Sequence, residues 1–290
     1  MTDINNILQH WNLSGTSAVQ SDIGHKSTWD IDGKYVLKCN ANASELSRSI
    51  KIAALLASEG IPVAAYITTT AKTLTTPDGT HCLMTKLPGS HIDFYARPDL
   101  ADELGRGLAL LHIALMHIEP KTECRDNDFI ADWQGYIKPG LIGIPNNIAE
   151  HTESRILKVY EKLPRQPIHR DVHPQNVLFD NNKITGWLDF DLNRRDVRIF
   201  DLAYLFTGLL VGKIEKPSEV ETWRILCREI LAGYHEINPL TADEREAIPA
   251  FMIAIELLFV TFWNKQGNAE NYNKAVELAL WLYDEYKMKL

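Results

Sequence analysis

The sequence predicts an α+β chain in two parts, a small antiparallel sheet with one main helix followed by a larger, mostly helical region. Three observations carry this. Short apolar-alternating runs separated by turn signals occupy residues 1–86. Apolar residues at helical spacing dominate residues 87–290. The two regimes meet at a Pro-Gly segment, so a hinge is expected at about 84–90 and a ligand cleft between the parts.

In chain order, Ile4, Ile7, Leu8 and Trp11 have helical spacing in DINNILQHW. STWDI and KYVLKC then alternate about Asp32-Gly33, a two-residue hairpin signal. Ala43 to Val63 reads as a helix, with Leu46, Ile50, Ala53 and Leu56 on one face and Gly60 and Pro62 ending it. AAYIT, at Ala64 to Thr68, reads as a strand. KTLTT and THCLMT read as a hairpin about Pro77-Asp78-Gly79. Asp99 is a candidate N-cap for a helix carrying Leu104, Leu108, Leu111 and Leu115. Residues 119–150 read as an irregular connection and Thr152 to Leu163 as a helix. Further helices are expected near Asp201 to Val211, Ser218 to Tyr234, Ala242 to Lys265 and Asn271 to Lys289.

Composition narrows the class. Apolar residues make up 45% and charged residues 23%, the balance of a globular protein. A net charge of -8 argues against a broad nucleic-acid footprint. Cys39, Cys82, Cys124 and Cys227 lack metal-ligand spacing and read as free thiols. No signal peptide is visible. The apolar run Ala247 to Trp263 contains Pro249 and Glu256 and reads as a buried core helix rather than a membrane span. The expected location is cytoplasmic, with no nucleic-acid or membrane partner.

The chemistry concentrates in IHRDVHPQNVLFDNNKITGWLDFD, where His169, Asp171 and Asn176 stand in the order H-x-D-x-x-x-x-N. Two short strands with a turn at Asp180 to Asn182 would bring Asn176 beside Asp189. Such a pair of hard oxygen donors suits Mg²⁺, whose other ligands come from phosphates and water. Asp171 would orient an attacking hydroxyl or accept its proton in phosphoryl transfer. The plainer reading is that Asp and Asn punctuate turns. The spacing, the later LDFD and a Lys and a Glu in the preceding β-rich part weigh for a site. Lys38 lies on an apolar strand, where a Lys calls for a specific partner.

On these motifs, and on RIFDLAYL after LDFD, the chain resembles the aminoglycoside phosphotransferase and choline kinase family, whose fold is similar to that of protein kinases. The resemblance implies a small sheet lobe and a larger helical lobe, and transfer of the γ-phosphate of ATP, with Mg²⁺, to a hydroxyl of a small molecule. It makes Asp171 the catalytic base, Asn176 and Asp189 the metal ligands, and His169 a brace of the loop. It makes Lys38 the phosphate-holding Lys and Glu45 its ion-pair partner, although Glu45 could equally sit in a helix N-terminal dipole. His173 would touch the γ-phosphate or the substrate, and Asp201 would steady the loop or cap a helix. Gly24 and Ser27, or Thr28, would cover the phosphates in place of a G-x-G-x-x-G loop. MTKLPG would present backbone groups to adenine, with Met84 and Lys86 at the nucleotide.

Arg170 completes an HRD triplet and invites a protein-kinase reading. Only LNRRDVRIF separates Asp191 from the next expected helix, and no A-P-E follows, so a peptide platform has no room. Arg170 would then meet a local carboxylate or carbonyl. A nucleotide-binding pseudokinase is the other alternative, against which stand the filled positions Lys38, Asp171, Asn176 and Asp189. For the acceptor, Asp191, Arg194, Glu256 and Trp263 are candidate contacts. Glu256 and Trp263 could form an acidic-aromatic pocket for an amine, unless Glu256 is a buried partner of a Lys or Arg.

Overall fold

Asp3 caps the first helix, α1 (Ile4–Gln9), by accepting from the Asn5 N–H at 3.0 Å. The computed structural model describes residues 3–20, 27–67 and 73–286. They form two compact units. The first comprises Met1–Ile92, His117–Glu123 and Gln175–Leu192, and the second the remainder. The division therefore differs from a single cut after residue 86. The helix-rich half of the sequence contributes a β-hairpin to the first unit.

In the first unit, β1 (Ala18–Gln20), β2 (Thr28–Ile31), β3 (Tyr35–Asn40), β4 (Leu74–Thr76) and β5 (Gly79–Thr85) form an antiparallel sheet in the order β1-β2-β3-β5-β4. Asp32 and Gly33 both have positive φ, 55° and 68°, as the tight β2–β3 turn requires. Ile31, Leu37 and Leu83 on one sheet face close over Ile7, Leu8 and Trp11 from the start of the chain. On the other face Cys82 meets Leu46 and Ile50 of α2 (Ala43–Ser58). The strand expected at Ala64 to Thr68 is absent within the described residues. Val63 and Tyr66 make isolated bridges, to Trp187 and to Met84, the latter beyond the part of β5 that β4 pairs. Strand β1, which is short and exposed, lacked a readable apolar alternation.

The hairpin β7 (Val177–Asp180) and β8 (Lys183–Trp187) turns through Asn181 and Asn182, both at positive φ. It docks on the Pro-Gly segment: Ser90 bridges Phe179, and Thr185 Oγ1 donates to the Pro88 carbonyl at 2.7 Å. A Cβ on Gly89 would fall 2.7 Å from the Phe179 carbonyl oxygen. This close approach is why the expected hinge is instead the seat of the hairpin.

The second unit is built around α8 (Ala242–Gln266), which packs against α5 (Asn146–Val159), α6 (Ile199–Leu210) and α9 (Ala269–Tyr286). A Thr241/Glu244 capping box starts α8, and the buried Glu244 carboxylate also takes the Arg198 guanidinium. Among the described residues α8 is the one helix long and apolar enough to cross a membrane, and 67% of its apolar window is buried inside the protein. Two short strands, β6 (Arg165–Ile168) and β9 (Arg194–Val197), pair antiparallel. The connection 119–150 holds α4 (Phe129–Asp132), a π turn at Trp133–Ile137 and the start of α5, which begins six residues before Thr152. Asp99 is not an N-cap. It lies inside a 3₁₀ turn ahead of α3 (Ala101–Ile118) and pairs with Arg97.

Helices α3 and α7 (Pro217–Ile237) cross on reciprocal glycines. A Cβ on Gly105 would stand 2.1 Å from the Ile230 carbonyl oxygen, and one on Gly233 2.3 Å from that of Asp102. Gly105→Ala improves helix propensity by about 1 kcal/mol, but it drives a methyl group into rigid backbone. The net expectation is a loss of about 2 kcal/mol, read as a lower urea midpoint at unchanged m-value.

Candidate active site

The first unit contributes a cation and the oxygen donors around it. Residues alternate faces along β3, so Leu37 enters the core beneath the sheet while Lys38 stands on the opposite side. Its ammonium is 2.9 Å from Asp189 Oδ1 and 2.7 Å from Asp191 Oδ2, with the side chain only 15% exposed. Burial opposes its charge, but the two carboxylates outweigh burial and raise the pKa above the usual Lys value. Asn40, two positions along the same face, donates to Asp191 Oδ2 at 2.6 Å. Asn176 precedes β7, and its carbonyl accepts from Leu188 N–H at 2.9 Å, which sets Asp189 next in line. Asp189 has φ 59°, a conformation Asp tolerates better than bulkier residues.

Two expectations are corrected here. Lys38 pairs with Asp189 and Asp191 rather than with Glu45. Asn42 caps α2 by accepting from the Ser44 and Glu45 N–H groups, which leaves Glu45 in the positive first turn of the helix. Asp191, a candidate acceptor contact, is instead a second carboxylate on Lys38, and its other oxygen is buried without a hydrogen-bond partner.

The nucleotide-side candidates are less assembled. Gly24 lies outside the described residues. Ser27 is tied by its carbonyl to the Cys39 N–H at 2.8 Å, and Thr28 begins β2. The Met84 side chain packs on the Leu46, Ile50 and Cys82 cluster. Lys86 turns away to Asp30, at 2.6 Å. The Thr85 and Lys86 N–H groups are already donated to Ala65 and Lys34 carbonyls, so neither is offered to an adenine.

The second unit carries the loop His169-Arg170-Asp171. Asp201, in the first turn of α6, accepts from the His169 N–H at 2.8 Å and the Arg170 N–H at 2.7 Å. His112 of α3 approaches Asp201 Oδ2 at 2.9 Å through Nε2, while its Nδ1 is 2.7 Å from the Tyr234 hydroxyl. These bonds hold Arg170 at φ 70°, an uncommon conformation for a residue with a Cβ. The Arg170 guanidinium meets the local carboxylate Asp132 at 3.0 Å and lies over the Phe200 ring.

Asp171 is approached from three directions. Its N–H donates to His169 Nδ1 at 3.3 Å, Tyr204 donates to Oδ1 at 2.8 Å, and His173 Nε2 is 3.6 Å from Oδ2. Burial raises its pKa, but His173 and then Tyr204 outweigh burial and hold the carboxyl at about 2.

Of the acceptor candidates in this unit, Arg194 lies on β9 and donates to the Asn193 carbonyl. Glu256 is only 3% exposed and Trp263 is half-buried against Phe262, so no open acidic-aromatic pocket is formed by this pair. Nor does Glu256 pair with a Lys or Arg among the described residues. Burial pushes its pKa up to about 8 against a bond from Thr207. Tyr204, His112 and Asn40 were missed as site residues. Each is a polar residue in or beside an apolar run, and only the FDLAYL motif pointed near Tyr204.

The donor set can be tested for a magnesium ion. Asn176, Asp189 and Asp191 supply hard oxygens, and Asp191 Oδ1 is buried with no hydrogen-bond partner. No cluster of three or more His, Cys, Asp or Glu residues forms a ready cage among the described residues. Few protein ligands with the remainder from phosphate is the usual magnesium arrangement, and the residues fit it.

A kinase-like fold with a buried Lys–carboxylate group and a braced H-x-D loop defines the class of protein. The model of the phosphotransferase enzyme family matches residues 21–246. The chain belongs to that family. It is 30% identical over 166 residues to the homoserine kinase of Hyphomonas neptunium, an alignment covering 54% of this chain and 50% of that protein. The chain thus spans about half the length of that relative. Among solved structures it is similar to the GDP complex of aminoglycoside 2'-phosphotransferase-IIIa, with TM-score 0.75, 14% identity and coverage of 98% of this chain and 99% of the other. Amicoumacin kinase hAmiN, in complex with AMP-PNP and Ca²⁺, gives TM-score 0.72 at 16% identity, covering 98% of this chain and 94% of that one. These two likenesses establish the α+β, protein-kinase-like fold.

Proposed function

We propose that this protein transfers the γ-phosphate of ATP, with Mg²⁺, to a hydroxyl group of a small molecule in the cytoplasm. The observation that carries the reading is Asp171, a carboxylate bonded by Tyr204 and flanked by His173 on a loop whose backbone is pinned by Asp201. In this reading Lys38 holds the α- and β-phosphates, displacing part of its pairing with Asp189 and Asp191. Asn176 and Asp189 hold the metal, with Asp191 beside them. The ion would neutralise charge on the phosphate oxygens when bound.

Asp171 orients the acceptor hydroxyl and takes its proton. A carboxylate with a pKa of about 2 is a weak base, so it does not deprotonate an alcohol before bond formation. Its work is directional. It fixes the hydroxyl in line, and receives the proton once the oxygen has become acidic by bonding to phosphorus.

Between Asp191 and α6 the chain forms β9, which pairs with β6 and leaves little length for a peptide platform. That favours a small acceptor over a protein. The name of the Hyphomonas relative puts homoserine first among acceptors to try. Choline, ethanolamine, methylthioribose and aminoglycosides complete the panel. The expected result is acceptor-dependent, magnesium-dependent ADP release with at least one compound, and at least a 100-fold loss in Asp189→Ala. Full turnover in Asp189→Ala, or phosphorylation of peptides alone, overturns the reading.

A further inference from the structure

The geometry points to Tyr204 as a positioning residue for Asp171, fixing the rotation of the carboxylate that meets the acceptor hydroxyl. The inference rests on the catalytic role proposed above for Asp171.

Asp201 and Tyr204 are three residues apart on α6 and so share one face of that helix. Asp201 grips the loop by its backbone N–H groups at His169 and Arg170. Tyr204 grips the next residue by its side chain, donating to Asp171 Oδ1 at 2.8 Å. One turn of helix thus sets both where the loop runs and how its carboxylate is rotated.

The phenol is itself tightly held. Its ring stacks on Phe200 at 6.0 Å and leans on Phe259 at 5.8 Å. Burial, and then the neighbouring Asp171 charge, raise its pKa well above the usual Tyr value, so the hydroxyl stays protonated and acts as a donor. A carboxylate turning about its Cβ–Cγ bond would tilt its plane away from an in-line acceptor. The Tyr204 bond holds one oxygen and so fixes that plane, leaving the other on the side of His173, 3.6 Å away. The acceptor hydroxyl then meets Oδ2. The gain is in orientation, which appears in the transition state and not in nucleotide affinity.

The test compares Tyr204→Phe, Asp171→Asn and the double variant with wild type. Tyr204→Phe is expected to lower kcat about 10- to 30-fold, with the nucleotide KM and Kd within about twofold. In the Asp171→Asn background the same change is expected to cost less than about twofold, since the oxygen it acts through has already been compromised. A purely structural Tyr204 would give the same loss in both backgrounds, and that outcome overturns the inference. So does an unchanged kcat in Tyr204→Phe. Should Tyr204→Phe fold poorly, difluorotyrosine introduced at 204 keeps ring and hydroxyl. It should retain kcat within about threefold, and a loss as large as that of the Phe variant overturns the inference.

If wild type phosphorylates no acceptor, the functional reading fails by itself. Tyr204 is then judged by the carboxyl ¹³C shift of Asp171 during acid titration. The Phe variant should protonate at higher pH than wild type, and coincident curves overturn the inference.

Discussion

Replacing Asp171 with Asn lowers kcat by about 10³-fold, while the nucleotide KM stays within about twofold. Asn matches Asp in size and can still accept at one oxygen from Tyr204. What it lacks is negative charge and a second acceptor, and therefore any place for the hydroxyl proton. Nucleotide affinity is spared because Lys38, Asp189 and Asp191, which would hold the triphosphate and metal, make their mutual contacts without Asp171. Single-turnover measurements with saturating nucleotide separate this chemical defect from slow product release. A loss below tenfold would exclude Asp171 from the proton path and leave the loop a scaffold.

The second large effect concerns stability. Glu256 has an ordinary value of 4.5 and a folded value of about 8, raised by burial within α8. Below pH 4.5 it is protonated folded or unfolded and contributes its full stability. Between pH 4.5 and 8 the unfolded chain ionises while the folded protein stays neutral, so stability is lost as pH rises. Above pH 8 the loss is complete and levels off. The displacement corresponds to about 5 kcal/mol between the two plateaus. Glu256→Gln keeps the size and hydrogen bonding of the neutral acid and has no such slope. Urea unfolding at pH 5, 7 and 8.5 should show the variant gaining on wild type at each step. Parallel pH dependences would mean that Glu256 is not held neutral. Subtracting the two proteins cancels other groups, including Asp171, whose depressed value contributes stability that is lost only as pH falls towards 2.

Much of the arrangement could be read before the fold was known, and the limits have physical causes. The Asp32-Gly33 turn, the helices α2, α6, α7 and α8, and the order of Asp171, Asn176 and Asp189 depend on neighbours in sequence, where spacing is informative. The pairing of Lys38 depends on residues more than 150 positions away, and the family resemblance offered Glu45 instead of Asp191. His112 and Tyr204 sit in apolar helical stretches, where a polar residue is visible but its partner is not. The 177–187 hairpin looked like part of the helical half because it follows it in the chain. Its contacts with Pro88, Gly89 and Ser90 show that it joins the first unit.

Helix α8 has a consequence for the chain before it folds. While unfolded, Glu256 is ionised at neutral pH, in the middle of a segment apolar enough to partition into lipid. Placing an ionised side chain at the centre of a bilayer costs on the order of 2.5–3.5 kcal/mol on insertion scales. The same carboxyl that weakens the native state above neutrality therefore disfavours capture of the nascent chain by membranes. A Glu256→Gln chain loses that charge but keeps a polar amide at the same place.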